Sequence, residues 1–326
     1  MHDSRTNATA QQMADALSAC ESFVICGHVN PDGDCLGSAL TLMHALRSLG
    51  KRADVLLVED SPLEPGLLFL PGIDEFVPAE RYAGNPQAFV YVDVSVRDRI
   101  KAAAAIADRA TCRFAIDHHA GTDDVAELCL IDPDAASCTM LVWDVVCAMG
   151  VEPSREMALC AYTGLMTDTG RFQYQNTDEQ AFLHAAEMVA MGADPSLAGR
   201  EFFQNRSMAS LNLEHRMVSR MEILMDGQVA FSYITLADFT ECGAENSDAE
   251  ALIDTLRSVR GVRAACILKE RNGFVRGSLR AKDDDTDVAA MARVLGGGGH
   301  KAAAGFTLEV SLEEAISQVK DELARL

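Results

Sequence analysis

Short apolar runs rich in β-forming residues alternate with longer helical patterns through the first half of the chain. The short runs predict four strands, at residues 22–27, 54–58, 88–93 and 112–117. The longer runs have apolar residues three and four positions apart and predict three helices, at residues 36–49, 136–149 and 154–166. Because the strands are almost continuously apolar and alternate with helices, we predict an α/β fold with a parallel sheet covered on both faces.

The second half begins with a wholly helical pattern over residues 177–225 and then returns to strands. Further strands are predicted at 228–236, 264–269, 273–280 and 305–310, and further helices at 248–259, at 288–295 and from Leu312 onward. A chain of 326 residues is long enough for two domains. We therefore predict a parallel-sheet domain at 1–190, a helical connector at 191–226 and a smaller α/β domain at 227–326.

Composition narrows the class of protein. Hydrophobic residues make up 48% of the chain, enough to fill a core, and no apolar run approaches the ~20 residues that span a bilayer. The ten cysteines include no Cys-x-x-Cys pair and several lie in apolar runs, so we interpret them as buried free thiols of a cytoplasmic protein. The net charge of −21 argues against a protein that coats long nucleic acid.

Basic residues nevertheless concentrate between Arg257 and Lys282, a stretch in which Glu270 is the only acidic residue. The charges alone fit a solvated face of a strand and helix as well as a local site for an anion.

Carboxylates and histidines stand at four element ends of the first half. They are His28, Asp32 and Asp34 after the first strand, Asp93 at the end of the third, Asp117, His118 and His119 at the end of the fourth, and Asp168 after a helix. Each alone has an ordinary explanation, since aspartate often forms turns or caps helices. Together they would lie side by side at one edge of a parallel sheet and repel one another. Two divalent cations relieve that repulsion, and oxygen donors with some imidazole suit Mn²⁺, with Mg²⁺ as the alternative.

These motifs resemble the four motifs of the DHH phosphoesterase superfamily, which includes RecJ-like nucleases and family II pyrophosphatases. In the second half, Val275-Arg-Gly-Ser-Leu-Arg280, then Asp287-Val-Ala, then the run from Gly296 to Gly305 resemble the DHH-associated domain of the NrnA-type oligoribonuclease and pAp-phosphatase branch. The resemblance covers nearly the whole chain. It implies that residues 1–190 form the metal-binding catalytic domain and that residues 227–326 bind substrate.

The resemblance also implies residue roles. One metal would be held by His28, Asp32 and Asp93, and the other by Asp34, Asp93, His118 and Asp168, so that Asp93 bridges the two. His119 would face the substrate beside the second metal, and Asp117 would orient the histidines. The segment 120–124, which follows the Asp-His-His motif, lacks the asparagine that relatives often carry there.

The run Gly296–Gly299 before His300 has two interpretations. By itself such a run is usually a flexible turn or the end of a helix. A second helix beginning near His300 would instead allow the backbone N–H groups of Gly297, Gly298 and Gly299 to form a phosphate nest. Arg280 and Lys282 would add charge-assisted contacts. The resemblance favours the second interpretation and implies that this loop and His300 bind the end of the substrate opposite the metals.

The function expected from these features is metal-assisted hydrolysis of short single-stranded oligonucleotides or small nucleotides such as pAp. At 6% aromatic residues the chain has few rings on which to stack many bases, and long duplex and membrane partners are not expected. The sequence barely distinguishes this function from that of a linear or cyclic dinucleotide phosphodiesterase. A pyrophosphatase or polyphosphatase would lack the glycine-rich histidine loop, and a metal-free nucleotide-binding regulator would not need every ligand intact. A homodimer is compatible with the sequence.

Overall fold

The structure is a computed structural model that describes residues 7–94, 96–119, 125–283, 285–299 and 301–325. The chain forms two compact units, Met1–Asn205 and Arg206–Leu326. The division lies within the stretch predicted as a helical connector, and the three-segment division of the chain stays a prediction. None of the helices in these described ranges is both long and apolar enough to cross a bilayer.

The N-terminal unit contains a six-stranded sheet in the order β3-β2-β1-β4-β5-β6, in which all neighbouring strands pair in parallel. Its strands are β1 (Ser22–Cys26), β2 (Arg52–Leu57), β3 (Val77–Pro78), β4 (Ala88–Val92), β5 (Cys112–Asp117) and β6 (Leu128–Ile131). From β1 the chain adds β2 on one side, and β4 later pairs on the other side. The strand order therefore reverses between β1 and β4, which is where open α/β sheets bind their ligands, beyond the carboxyl ends of the strands.

Helices lie on both faces of this sheet, as the continuous apolar strands predicted. The helices of this unit are α1 (Ala10–Ser18), α2 (Gly33–Ser48), α3 (Ala104–Ala107), α4 (Cys138–Ala148), α5 (Arg155–Asp168), α6 (Glu179–Ala190) and α7 (Pro195–Phe203), with 3₁₀ turns at Pro65–Leu67, Ile73–Glu75, Ala79–Arg81 and Arg97–Ala103. Of these, α6 and α7 pack with α4 and α5 and not on the sheet. Successive residues of β1 enter different cores: Ile25 packs in the cluster that contains α2 and α4, and Val24 in the cluster that contains Ile106. Burial on both faces explains why these strands are not alternately polar.

The C-terminal unit has a second six-stranded sheet, in the order β11-β12-β10-β9-β8-β7. Its strands are β7 (Glu222–Leu224), β8 (Val229–Ile234), β9 (Ala264–Arg271), β10 (Phe274–Ala281), β11 (Gly298–Gly299) and β12 (Ala303–Leu308). The β8–β9 pair is parallel and the others are antiparallel. Its helices are α8 (Met208–Ser219), α9 (Leu236–Cys242), α10 (Leu252–Arg257), α11 (Val288–Val294) and α12 (Leu312–Leu323).

Two sequence expectations were wrong in this region. The helical stretch predicted to reach residue 225 ends earlier, because Glu222–Leu224 forms a strand paired with β8 through a turn that places Met225, Asp226 and Gly227 at positive φ. The Asp226-Gly227 pair is a local signal for this hairpin. No helix begins near residue 300, because β12 starts at Ala303 and pairs with β11.

The cysteine interpretation needs one correction. All ten cysteines are free, but Cys147 is exposed and Cys112 and Cys242 are partly buried. Cys147 lies near the C-terminal end of α4, where its apolar neighbours Val145 and Val146 face the core and the cysteine does not.

Candidate metal centre

The loop between β1 and α2 brings three of the predicted ligands to the sheet edge. Asp32 is the N-cap of α2, and its Oδ1 accepts hydrogen bonds from the backbone N–H groups of Asp34 (3.1 Å) and Cys35 (3.0 Å). The side chain of Asp34 is therefore held in the first turn of the helix, and it is buried. Asp32 Oδ2 lies 3.8 Å from His28 Nε2, so this carboxylate both caps the helix and reaches the predicted site.

Asp93 follows β4 in a left-handed backbone conformation, with φ +55°. Its N–H donates to the carbonyl of Ile116 on β5 (3.0 Å), which holds the strained residue in place. Its side chain is 1% exposed, and Oδ1 has no hydrogen-bond partner among the described residues. A strained backbone and an unpartnered buried oxygen each cost free energy, and such features concentrate at functional sites.

The two predicted histidine ligands are oriented by the backbone. Nδ1 of His28 lies 2.9 Å from the carbonyl of Val29, and Nδ1 of His118 lies 3.2 Å from the carbonyl of Ala135. A carbonyl only accepts, so both Nδ1 atoms carry a hydrogen, and Nε2 is the atom that each ring can offer to a metal in its neutral form. A metal-binding histidine usually donates the N–H of its other ring nitrogen to a carbonyl, a carboxylate or a water molecule.

His118 and Asp93 lie at the centre of the group. His118 Nε2 is 3.5 Å from Asp93 Oδ1 and 3.7 Å from both Asp34 Oδ2 and Asp168 Oδ2. His28 Nε2 is 3.2 Å from the other oxygen of Asp93. The carboxylate of Asp93 thus lies between the two histidines. The bridging role that the resemblance implies for it stays a prediction.

Close helix packing brings Asp34 and Asp168 into this group. A Cβ added at Gly37 of α2 would lie 2.6 Å from the carbonyl of Cys160 on α5, and one added at Gly164 would lie 2.4 Å from Thr139. The carboxylate of Asp34 also accepts the N–H groups that begin α4, from Cys138 (2.6 Å) and Thr139 (2.9 Å). The positive end of α4 therefore helps to hold this buried charge.

His119 is held by Asp117. Its Nδ1 lies 2.7 Å from Asp117 Oδ1, and its backbone N–H donates to the same oxygen at 3.1 Å. Asp117 is fully buried, whereas the side chain of His119 is 18% exposed. The resemblance implied that Asp117 orients both histidines, but Nδ1 of His118 contacts the carbonyl of Ala135 instead. The role of His119 toward the substrate stays a prediction.

Three sets of side chains are spaced to hold a cation, with all donor atoms of each set within 4.8 Å of one another. They are His28, Cys35 and Asp93; Asp93, His118 and His119; and Asp34, His118 and Asp168. Asp32 lies near the first set, with Oδ2 3.8 Å from His28 Nε2, but it is not one of the three donors of that set. Cys35 was missed by sequence reasoning, although it directly follows Asp34 in the motif and lies on the same first turn of α2.

The electrostatics of the group fit a cation site. Burial and the charge of Asp93 raise the pKa of Asp34 to about 7, and burial raises the pKa of Asp168 well above its usual range. Burial opposes the charge on His28, but the hydrogen bond to Asp93 and the nearby carboxylates outweigh it and raise the pKa to about 9. Without a cation, the raised pKa values favour the protonated forms of Asp34 and Asp168 more than in ordinary carboxyls, and they favour the charged form of His28. Buried oxygen donors with imidazole nitrogens fit Mn²⁺ or Mg²⁺.

In the C-terminal unit, Arg280 lies on β10 with Arg276 and Ser278. These residues alternate with Val275 and Leu279, which face the core. Within the described ranges, no carboxylate lies at ion-pair distance from Arg276 or Arg280, although most other arginines of this unit have one. Arg276 was not among the predicted substrate residues. Arg276 and Arg280 are separated by an even number of residues on one strand, so their side chains lie on the same face. This spacing is the sequence signal that could have identified Arg276.

Lys282 is used differently. Its Nζ donates to the carbonyl of Val259, which follows the C-terminal end of α10, at 3.1 Å. This contact anchors a loop and gives Lys282 a structural role in addition to the predicted substrate contact.

The glycine run is explained largely by backbone packing. Gly296 follows α11 with φ +74°, as a helix-ending glycine does. A Cβ on Gly297 would lie 2.1 Å from the carbonyl of Gly305, and one on Gly299, at φ +142°, would lie 2.5 Å from the carbonyl of Ala303. A Cβ on Gly298 would meet nothing within 4 Å. Because no helix follows, the predicted nest at a helix N-terminus is wrong; His300 lies outside the described residues.

Comparison with known proteins places this site in a family. Residues 22–165 match the DHH family, N-terminal domain, and residues 226–325 match the DHHA1 domain. A protein of Thermus thermophilus named bifunctional oligoribonuclease and PAP phosphatase NrnA is 30% identical over 96% of this chain and 94% of its own length. The chain therefore belongs to the DHH family and carries a DHHA1 domain, as the motifs predicted.

Two further proteins illustrate the breadth of the similarity. The crystal structure of an exopolyphosphatase-related protein from Bacteroides fragilis superposes with a TM-score of 0.91, at 26% identity over 98% of each chain. The cyclic-di-AMP phosphodiesterase PdeA of Listeria monocytogenes is 24% identical over 97% of this chain, which corresponds to 49% of that protein. The α/β fold predicted from sequence is confirmed.

Proposed function

We propose that this protein is a two-metal phosphodiesterase that hydrolyses short oligonucleotides and also removes the 3′-phosphate of pAp. The observation that carries the proposal is the buried carboxylate of Asp93, which lies between two histidines whose Nε2 atoms are left as ligands by backbone carbonyls. Membership of the DHH family and the name of the Thermus relative support the same activity.

Two cations would be held by the residues predicted from sequence. His28, Asp32 and Asp93 supply donors for one, and Asp34, Asp93, His118 and Asp168 supply donors for the other; Mn²⁺ is our first choice and Mg²⁺ the alternative. When bound, such cations lower the pKa of a water ligand and neutralise charge on the phosphoryl oxygens.

His119 is the side chain that we assign to the substrate. Asp117 accepts the hydrogen of Nδ1 and keeps the ring in one orientation, so Nε2 is the atom that would act on the phosphate. At Nε2 the ring can hydrogen-bond a phosphoryl oxygen or transfer a proton to the leaving oxygen. Asp117 is itself fully buried, which shields this hydrogen bond from water.

The C-terminal unit would bind the substrate's phosphates. Arg276 and Arg280 lie on one strand face without an ion-pair partner in the described part of the chain, so their guanidinium groups can each take a phosphate in bidentate fashion. Lys282, the glycines 297–299 and His300 stay predicted contacts. With so few cations on a chain of net charge −21, only a few phosphates can be neutralised at once, which favours substrates of about two to five nucleotides.

The second candidate is a cyclic dinucleotide phosphodiesterase. It is favoured by the similarity to the Listeria protein, which extends over 97% of this chain. The same metal ligands would serve both reactions, so the distinction lies in the substrate and not in the hydrolytic centre.

The test is a panel of substrates with the full chain and Mn²⁺: a dinucleotide, a pentanucleotide and a 24-mer of one sequence, together with pAp, pyrophosphate and cyclic di-AMP. We expect the highest kcat/KM on the two short oligonucleotides and measurable phosphate release from pAp. A clear advantage for the 24-mer would favour a processive exonuclease, and turnover of pyrophosphate alone would contradict the proposal. A preference for cyclic di-AMP would select the second candidate.

A pair of arginine variants tests the assignment of the C-terminal unit. Arg280→Ala should raise KM for the dinucleotide while the bound manganese stays unchanged. Arg216→Ala is the matched control, because Arg216 belongs to the same unit but is paired with Glu241 at 2.9 Å. Equal effects of the two variants would contradict a specific role for Arg280.

A further inference from the structure

We propose that Cys35 is a sulfur ligand of the cation held by His28 and Asp93, and that it gives this half of the metal centre a preference for thiophilic divalent ions such as Zn²⁺, Co²⁺ and Cd²⁺ over Mg²⁺. The inference rests on the metal centre of the proposed function but not on the identity of the substrate.

The geometry of the first donor set carries the proposal. Cys35 Sγ, a nitrogen of His28 and a carboxylate oxygen of Asp93 all lie within 4.8 Å of one another, and all three side chains are buried. The position of Cys35 is fixed at its backbone, because its N–H donates to the capping carboxylate of Asp32 at 3.0 Å. Ligands of one tetrahedral ion are separated by distances within this limit, since zinc–sulfur and zinc–nitrogen bonds are about 2.3 and 2.0 Å.

Gly27 provides the space for this sulfur. A Cβ added at Gly27 would lie 2.1 Å from Cys35 Sγ and 3.0 Å from the carbonyl of Val92. The chain therefore leaves β1 with a residue that has no side chain, and the thiol of Cys35 occupies the position next to the end of β4. Any larger residue at 27 would collide with the sulfur and displace it.

A second observation points to a ligand at the same place. Asp93 is 1% exposed, and its Oδ2 lies 3.2 Å from His28 Nε2, on the side of the Cys35 set. Its Oδ1, on the side of His118 and His119, has no hydrogen-bond partner among the described residues, so the buried carboxylate shared by the two sets is not saturated by the protein. The neighbouring donor, His28, has its Nδ1 committed to a carbonyl and its Nε2 turned to Asp93. A cation held here would neutralise the buried Asp93 carboxylate and would be bound by Nε2 of His28 in its neutral form.

The alternative is that Cys35 only fills space, as most buried cysteines do. Cys160 and Cys266 illustrate that case, because they are buried among apolar side chains. Within the described residues, Cys35 is the one cysteine that belongs to a three-donor group. Cys138 is also buried beside the centre, but its Sγ donates to the carbonyl of Ile116 at 3.1 Å and it belongs to no three-donor group among the described residues. The surroundings of Cys35 are therefore those of a ligand and differ from those of Cys160 and Cys266.

The two halves of the centre then differ in chemical character. The set Asp34, His118 and Asp168 offers oxygen and nitrogen alone, which suits Mn²⁺ and Mg²⁺. The set with Cys35 adds a soft donor, which favours zinc-like ions. On binding, the thiol loses its proton to solvent as the sulfur–metal bond forms, so no oxidant or other reactant is needed.

The experiment uses the full chain after removal of metal with a chelator. Co²⁺ is added to the wild type, to Cys35→Ser and Cys35→Ala, and to Cys26→Ala as the matched control. Cys26 is buried two positions before His28, and its Sγ lies 3.5 Å from the carbonyl of Gly27, outside every three-donor group found among the described residues. The readout is the near-ultraviolet sulfur-to-cobalt charge-transfer band, followed by competition titrations with Zn²⁺ and Mn²⁺.

We expect the band in the wild type and in Cys26→Ala and its loss in both Cys35 variants. Affinity for Zn²⁺ should fall on the order of tenfold or more in Cys35→Ser, while affinity for Mn²⁺ changes much less. Absence of the band from the wild type, or its persistence in folded Cys35→Ser, would overturn the proposal. Hydrolysis by the Mn²⁺-loaded wild type is measured separately, so a failure of the proposed function is distinguished from a failure of the sulfur ligand.

Discussion

Backbone carbonyls decide which atom each histidine of the centre offers to a metal. The carbonyls of Val29 and Ala135 accept from Nδ1 of His28 and His118, so both rings present Nε2 toward Asp93. These carbonyls belong to residues with no special chemistry. A change of loop conformation at either position would therefore damage the site without altering a ligand.

The residue on which the centre depends most is Asp93. We expect Asp93→Asn to lower turnover by at least about a hundredfold and to weaken both cations, because the amide removes the negative charge that the two sites share. The measurements are kcat and bound manganese by elemental analysis. Asp132→Asn is the control, since Asp132 is also an aspartate directly after a strand but is exposed. Near-normal turnover with two bound Mn²⁺ would show that the assignment of Asp93 is wrong.

A pH-dependent contribution to stability is expected from Asp238 in the C-terminal unit. Burial raises the pKa of this carboxyl, but hydrogen bonds from Arg220 and Thr235 outweigh burial and lower the pKa to about 2. A lowered pKa in the folded state means that the stabilisation is complete above the ordinary value of 3.8 and is lost as the pH falls toward 2.

We therefore expect Asp238→Asn to reduce the free energy of unfolding by about 2 kcal/mol at pH 7, and the difference from the wild type to shrink between pH 4 and pH 2. Urea unfolding at a series of pH values measures this. Asp321→Asn, an exposed carboxylate of α12, serves as the control. A difference that stays constant down to pH 2 would show that the Arg220–Asp238 pair is not the source.

At the scale of elements, local periodicity predicted the parallel sheet well and the glycine run poorly. Strands β1, β4 and β5 were predictable because burial on both faces leaves an uninterrupted apolar run. The short strands β3 and β11 were not, because two residues carry no periodicity. The pairing of β11 depends on β12, and only the close approach of the two backbones shows why glycine is needed there.

Neighbouring glycines of this run should respond in opposite ways to the same substitution. We expect Gly297→Ala to destabilise the C-terminal unit by about 1–3 kcal/mol, because its methyl group would collide with the carbonyl of Gly305. Gly298→Ala should leave stability nearly unchanged, since its methyl group would meet nothing within 4 Å. Thermal unfolding of both variants measures the difference. Equal stabilities would mean that β11 does not pair with β12 as described.

At the scale of the whole molecule, each unit has its own hydrophobic cores. The clusters around Ile25, Val24 and Trp143 lie within Met1–Asn205, and those around Phe231 and Ile267 lie within Arg206–Leu326. The predicted metal ligands all belong to the first unit, and the basic strand face belongs to the second. Metal binding is therefore expected to be linked to the folding of the first unit.

Calorimetry of the full chain should show this linkage. Adding Mn²⁺ to chelator-treated protein should raise the melting temperature of the N-terminal unit by roughly 5 °C or more at saturating concentration and leave the other transition unchanged. Asp93→Asn should remove the shift, and Asp238→Asn should identify the second transition by lowering it. A single transition that moves as a whole would show that the two units unfold together.

The sequence by itself determined the α/β class, the order of the motifs and the identity of most candidate ligands. These features are local: a strand, the acid at its end and the helix cap that follows are neighbours along the chain, as in the segment from His28 to Asp34. Tertiary structure alone decided that Cys35 lies beside Asp93, that Lys282 contacts Val259 and that Gly297 packs on Gly305. The first two contacts join residues far apart in sequence, and their proximity depends on strand order and helix packing, which no local pattern encodes. The third depends on the pairing of β11 with β12, which a two-residue strand does not indicate.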